Sequence, residues 1–458
     1  MRQGHLASLL PPAVTAIAVL APALAAGQAT TAPPQRPADK PPIAQAWIDI
    51  ATYASPGMPA GMAGMMGSMA AGGAGGSTPL SSLFGGKSQG NQFGLTKVGG
   101  GGSYVDVTLR TSRNPNLAVA TQTVPESTML APKLDLKVLP EAKPVVDRGE
   151  DTIEEPGEPP KARVKLYWGC GTAVRPGQPK VLDFSTATVA QLGEIFKGRR
   201  ATQRGTHAAA GRPVWPNLED KRTVPAGASF AGAHAFAGEG VPESFKFTLP
   251  AAQDIMPPIA LQQAQADGVT QLRWQVVPNA RAYFIAAMGG RGDGAGVAEM
   301  TLWTSSELPD SGLGLVDYQT NKSVDQWLKE KVLLAPTTTG CDVPKGIFGE
   351  GEASGGAMLR MIAYGNELNL AHPPRPTDPK LAWEPEWALK VRVKSVANAM
   401  LGMPMMDDAG TGADDAAMSG TEDGATPAAE TPATDEQPKK KKKFSIKDAI
   451  DAVKDAVP

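Results

Sequence analysis

Trp47-Ile48-Asp49-Ile50-Ala51-Thr52 alternates in the two-residue period of a strand, and Tyr104-Val105-Asp106-Val107-Thr108-Leu109 repeats its order of aromatic, β-branched, Asp, β-branched. The echo predicts two neighbouring strands. Ile48, Ile50, Val105 and Val107 then share one face, while Asp49 and Asp106 point the other way, to solvent. Between them the 57–102 stretch is dominated by Gly, Ala, Ser and Met and reads as a disordered insertion in a small β unit spanning 44–140.

Outward from this unit the strand signal recurs. Val164-Lys165-Leu166-Tyr167-Trp168 runs into a Gly169-Cys170-Gly171 turn, and 245–249, 269–277, 282–288, 297–304, 358–364 and 387–395 follow as short strands separated by Gly, Pro and Asn turns. Two short helices interrupt them. One spans 188–197, with Val189, Leu192, Ile195 and Phe196 at helical spacing; the other begins at a Ser323/Gln326 capping box and buries Val324, Trp327, Leu328 and Val332. The 198–240 stretch reads as irregular. The fold class is mainly β, a β-sandwich body at 241–397 preceded by a β-containing region at 162–240 with one helix.

Both ends differ from this body. Arg2, the apolar Leu6–Leu20 run and Ala23-Leu24-Ala25 form a signal peptide over 1–25, followed by a flexible leader at 26–43. No later segment reaches the roughly 20 apolar residues needed to span a bilayer. A Pro- and Glu-rich linker occupies 141–161. The tail is acidic and disordered from 398, then basic at Lys439, Lys440, Lys441, Lys442 and Lys443; 444–458 forms an amphipathic helix with Ile446, Ile450 and Val453 on its apolar side. The lysines and this helix are expected to dock on an anionic envelope surface or another envelope protein.

The balance of 44 basic and 46 acidic residues argues against a nucleic-acid partner. The two cysteines, Cys170 and Cys341, can pair in an exported protein or stay as separate buried thiols. Chemistry-bearing motifs are sparse. His207, His234 and His372 stand in Gly, Ala or Pro-rich surroundings without metal-ligand spacing, and no P-loop occurs. Gly289-Gly290-Arg291-Gly292-Asp293-Gly294 reads as a Gly-rich loop between strands, without the helix that phosphate cradling needs. Met58, Met62, Met65, Met66 and Met69, joined by Met400, Met403, Met405 and Met406, are soft thioethers suited to Cu(I). Two distant carboxylates could also hide a glycosidase, because such a pair leaves no local signature.

Leu272-Arg273-Trp274-Gln275-Val276-Val277-Pro278-Asn279-Ala280-Arg281-Ala282-Tyr283-Phe284-Ile285 resembles the B-to-C strand region of a fibronectin type III domain, with Asn279 where Gly is usual. The resemblance implies a sandwich with Trp274 between the sheets, Tyr283 and Ile285 pointing inward, and a role in binding or spacing. The region from Tyr167 to Lys394 is also similar to an uncharacterised family of exported proteobacterial proteins, which implies export alone. These readings converge on an exported, envelope-associated binding or structural protein without catalytic activity and without a cofactor. The alternatives are a periplasmic copper-handling protein that uses the methionines and a carbohydrate-active enzyme.

Overall fold

A computed structural model describes residues 39–56, 93–140, 162–188, 198–200, 205–292, 298–348, 357–378 and 380–401. The signal peptide, the methionines at 58–69, the 141–161 linker, the 189–197 part of the first expected helix and everything beyond Leu401 lie outside them, including the Lys439–Lys443 run and its helix.

The chain is mainly β. Its strands are β1 (Ala44–Ala54), β2 (Gly102–Thr111), β3 (Val119–Thr123), β4 (Lys133–Lys137), β5 (Ala162–Trp168), β6 (Lys180–Asp183), β7 (Val214–Trp215), β8 (Gly232–Gly238), β9 (Lys246–Leu249), β10 (Gln262–Ala266), β11 (Val269–Arg273), β12 (Ala282–Gly292), β13 (Ala298–Thr304), β14 (Gly340–Val343), β15 (Ala357–Tyr364), β16 (Leu368–His372) and β17 (Trp387–Leu401). Among the described residues the α-helices are α1 (Leu95–Val98) and α2 (Asn321–Lys329). A 14-stranded sheet runs β6-β5-β13-β12-β15-β17-β1-β2-β7-β4-β3-β8-β9, with β16 also on β17, and β10-β11-β14 form a second sheet. The arrangement is sandwich-like: Leu272, Cys341 and Val343 of the small sheet, with Trp274 just past β11, share one core with Ile48, Val107, Ile285, Trp303 and Val391 of the large one. The large sheet also turns back over itself. Phe245, next to β9, stacks on Trp387 of β17 at 4.7 Å, and the Trp387 indole donates to Ser244 O.

β1 and β2 pair antiparallel with Asp49 opposite Asp106, so the sequence echo marks a real ladder. On its other side β1 pairs parallel with β17, Asp49 opposite Arg392 and Ala51 opposite Lys394. Strands from the first and last parts of the chain are thus hydrogen-bonded neighbours in one sheet.

The connection from Trp274 to Arg281 carries the chain from the small sheet to the large one. Trp274 and Tyr283 are buried edge-to-face at 5.6 Å, and the Tyr283 hydroxyl accepts from Val277 N. Asn279 adopts φ 64°, a left-handed turn position that Asn tolerates. Cys170, just past β5, is bonded to Cys341 on β14 across 171 residues of chain. Closing so long a loop is worth on the order of 5 kcal/mol in the chain-entropy account.

Several local expectations change. The cap of α2 is Thr320, whose hydroxyl accepts from Ser323 N, one turn before the Ser323/Gln326 box. The 198–240 stretch contains β7 and β8. Gly289–Gly292 is not a loop but the end of β12, paired with β13. Residues 93–102 of the expected disordered insertion hold α1 and the start of β2, and the expected tail from 398 begins with the last four residues of β17.

Candidate functional site

The two faces of β2, β1 and β17 differ. One carries Ile48, Ile50, Val105, Val107, Val391 and Val393 into the main core. The other places Asp106, Asp49 and Arg392 in one row and Tyr104, Ala51, Lys394 and Tyr364 in the next, as the strand registers dictate. Strand alternation predicts this separation, and the sequence reading sends the second face to solvent. That expectation is corrected: Asp49 is 0% and Asp106 1% exposed. Segments 93–100, 205–206 and 310–320 and helix α2 lie across this face. Val324 and Trp327 of α2 pack with Ala51, Tyr53, Phe284, Ile362 and Val396, giving the covering layer its own apolar anchor.

Beneath that layer the charges answer one another. Arg392 donates through Nε and Nη2 to the two oxygens of Asp49, at 2.7 and 2.6 Å. Asp49 also accepts from Thr206 N and Thr206 Oγ1, at 3.0 and 2.7 Å. Burial pushes the Asp49 carboxyl up, but the charge and hydrogen bonds of Arg392, with the Thr206 hydroxyl, outweigh it and hold it below the usual range. Gly205 is required here: a Cβ would stand 1.6 Å from Arg392 Nη2.

Lys394, also buried, donates to Asp317 Oδ1 at 3.0 Å. Desolvation lowers its amine to about 8 against the pull of Asp317. Asp317 is driven up by burial yet held well below the ordinary carboxylate range by Lys394, Arg392 and Lys97. The ring of Tyr318 lies under both cations, 4.4 Å from the Arg392 guanidinium and 4.2 Å from Lys394 Nζ, and its hydroxyl donates to Ile50 O. Such cation–π contacts suit a site where water is scarce.

At the edge of this cluster, Tyr53 donates to Thr96 O, and Arg360 donates to Lys97 O and to the Tyr53 hydroxyl. Trp47 closes the β1 end of the face, with Arg212 at 4.7 Å, Arg110 at 5.7 Å and His207 at 6.3 Å from its ring.

His207, His234 and His372 each lie against an aromatic ring. His234 is stacked between Phe230 and Phe247, and its Nε2 donates to Phe230 O while Nδ1 accepts from Gln122. His372 stacks on Trp387. Among the described residues no group of three His, Cys, Asp or Glu is placed to hold a metal. Met400 lies in β17 opposite Met358. Asp49 and Asp106 face each other across β1 and β2, both buried and hydrogen-bonded rather than set on the walls of a cleft.

The residues sequence reasoning missed are Arg392, Lys394, Asp317, Tyr318 and Thr206. A signal was present in Lys390-Val391-Arg392-Val393-Lys394, whose alternation matches that of Asp49 with opposite charge. Nothing local shows that the two segments adjoin. No family model matches the chain, and no curated protein matches it either. Among the described residues, no helix is long and apolar enough to cross a membrane.

Proposed function

We propose that this chain is an exported, envelope-associated binding or structural protein without catalytic activity, whose β body is a rigid platform and whose Lys439–Lys443 run and terminal helix attach it to an anionic envelope surface or partner. One observation carries the non-catalytic part. Among the described residues, the buried cluster of acids and cations is closed, with Asp49 satisfied by Arg392 and Thr206, and Lys394 by Asp317. Catalysis needs groups that converge on a substrate atom, and these converge on one another. Such a network orders the covering segments. The Cys170–Cys341 bond fits an oxidising compartment.

The test is fractionation of cells that express the full chain or a version ending at Pro438. Tail-dependent sedimentation with envelope membranes supports the reading. Equal partitioning of the two overturns the docking role.

A further inference from the structure

The methionines among the described residues are Met129, Met256, Met288, Met300, Met358, Met361 and Met400, and four of them gather at one end of the large sheet. Met288 of β12 stands directly opposite Met358 of β15, and Met358 directly opposite Met400 of β17. One row across three neighbouring strands is therefore methionine throughout. Strand alternation turns all three side chains to one face, the face that carries Phe284, Ile362 and Val396 further along the same strands. The next rows on that face, Ala286/Arg360/Asn398, Phe284/Ile362/Val396 and Ala282/Tyr364/Lys394, hold no methionine. Met300 of β13 continues the row, diagonal to Met288 across the β12–β13 ladder and packed with it in one cluster.

Burial grades along the row. Met288 and Met300 are buried, whereas Met358 and Met400 are half-buried, so the row keeps access to solvent on its β15 and β17 side. Directly opposite residues of a ladder stand about 5 Å apart, and an unbranched thioether with three rotatable bonds can swing its sulfur to a point shared with its neighbours. The donors are soft and uncharged. They suit a soft monovalent ion and disfavour Mg2+, Ca2+ and Mn2+, which take oxygen ligands. Arg360, the cation of the adjoining row, donates to the Tyr53 hydroxyl and to Lys97 O. The sequence groups Met400 with Met403, Met405 and Met406, but the fold gives it Met358 and Met288 as neighbours.

We propose that Met288, Met358 and Met400 form a Cu(I) site in which three neutral thioethers take the ion from the solvent side of the row, with Met300 packed behind Met288. The site is independent of how the chain attaches to the envelope, and none of the methionines at 58–69 enters it.

The test uses the full chain carrying methionine labelled with 13C at the methyl group, titrated with Cu(I) in the absence of oxygen and read by NMR, each signal being assigned through a Met→Leu variant. The signals of Met288, Met358 and Met400 should move together along one binding curve, while that of Met361, which faces the main core on the other side of β15, stays in place. Met358→Leu nearly conserves side-chain volume and should weaken Cu(I) binding at the remaining pair by at least about tenfold. Shifts confined to other methionines, separate curves for the three, or unchanged binding at Met288 and Met400 in Met358→Leu overturns the site. Should Met358→Leu fail to fold, Met400→Leu takes its place, with unchanged binding at Met288 and Met358 as the overturning result.

Discussion

The two faces of the β2–β1–β17 ladder are built from the same strands and are both covered, yet they are held by different physics. The Ile48/Val107/Val391 face is joined to its covering layer by apolar contact, which is non-directional and tolerates small changes of shape. The Asp49/Arg392/Lys394 face is joined to segments 205–206 and 310–320 by directed charge and hydrogen bonding, in which each group depends on its partner. Desolvating ions costs several kcal/mol each, so this face contributes little net stability when intact and loses much when one partner goes. The contrast teaches that the polar face chooses which segments cover it, while the apolar face supplies most of the driving force.

The largest effect should come from breaking one charge on the polar face. Asp49→Ala leaves Arg392 buried without its partner and should cost about 3–5 kcal/mol in urea denaturation. Ile48→Val, one residue away on the apolar face, should cost about 0.5–1.5 kcal/mol. Equal costs would erase the distinction between the faces.

A pH measurement sharpens it further. The Lys394 amine titrates at about 8 in the fold, below its ordinary 10.5, so the unfolded chain binds its proton more tightly between those values. Folding stability therefore gains from this group as pH rises from 8 to 10.5, on the order of 1 kcal/mol per unit at most. Urea midpoints at pH 8 and pH 10 should show this gain in the parent chain, and its absence in Lys394→Met.

The smallest effect belongs to the rim. Arg212→Ala removes a guanidinium stacked over Trp47 and should lower stability by about 0.5–1 kcal/mol, read as a small drop in melting temperature.

Much of the strand content was legible because period-two alternation is local. The 282–288, 297–304 and 358–364 runs appear as β12, β13 and β15 with small shifts at their ends. Strands with weak alternation escaped: β8, Gly-Ala-His-Ala-Phe-Ala-Gly, is made largely of small residues, and β10, Gln-Gln-Ala-Gln-Ala, has no apolar face to read. The candidate site was legible only by half. Asp49 and Asp106 stood out in the two echoing segments, but their exposure depends on what crosses above them. Arg392 lies 343 residues from Asp49, and Thr206, which caps that carboxylate, comes from a stretch with no strand or helix period.

The amino-acid sequence by itself determined that β1 and β2 pair and which residues share each of their faces, because strand alternation and a matched motif are encoded residue by residue. It also determined that only two cysteines were available to join. Only the tertiary structure decided that β17 lies parallel beside β1 and that Cys170 meets Cys341. The covering of the polar face by 93–100, 205–206 and 310–320 was likewise decided there. Contacts between segments so far apart are settled by the packing of the whole sheet, and a buried carboxylate looks the same in sequence as an exposed one until its cation is brought beside it.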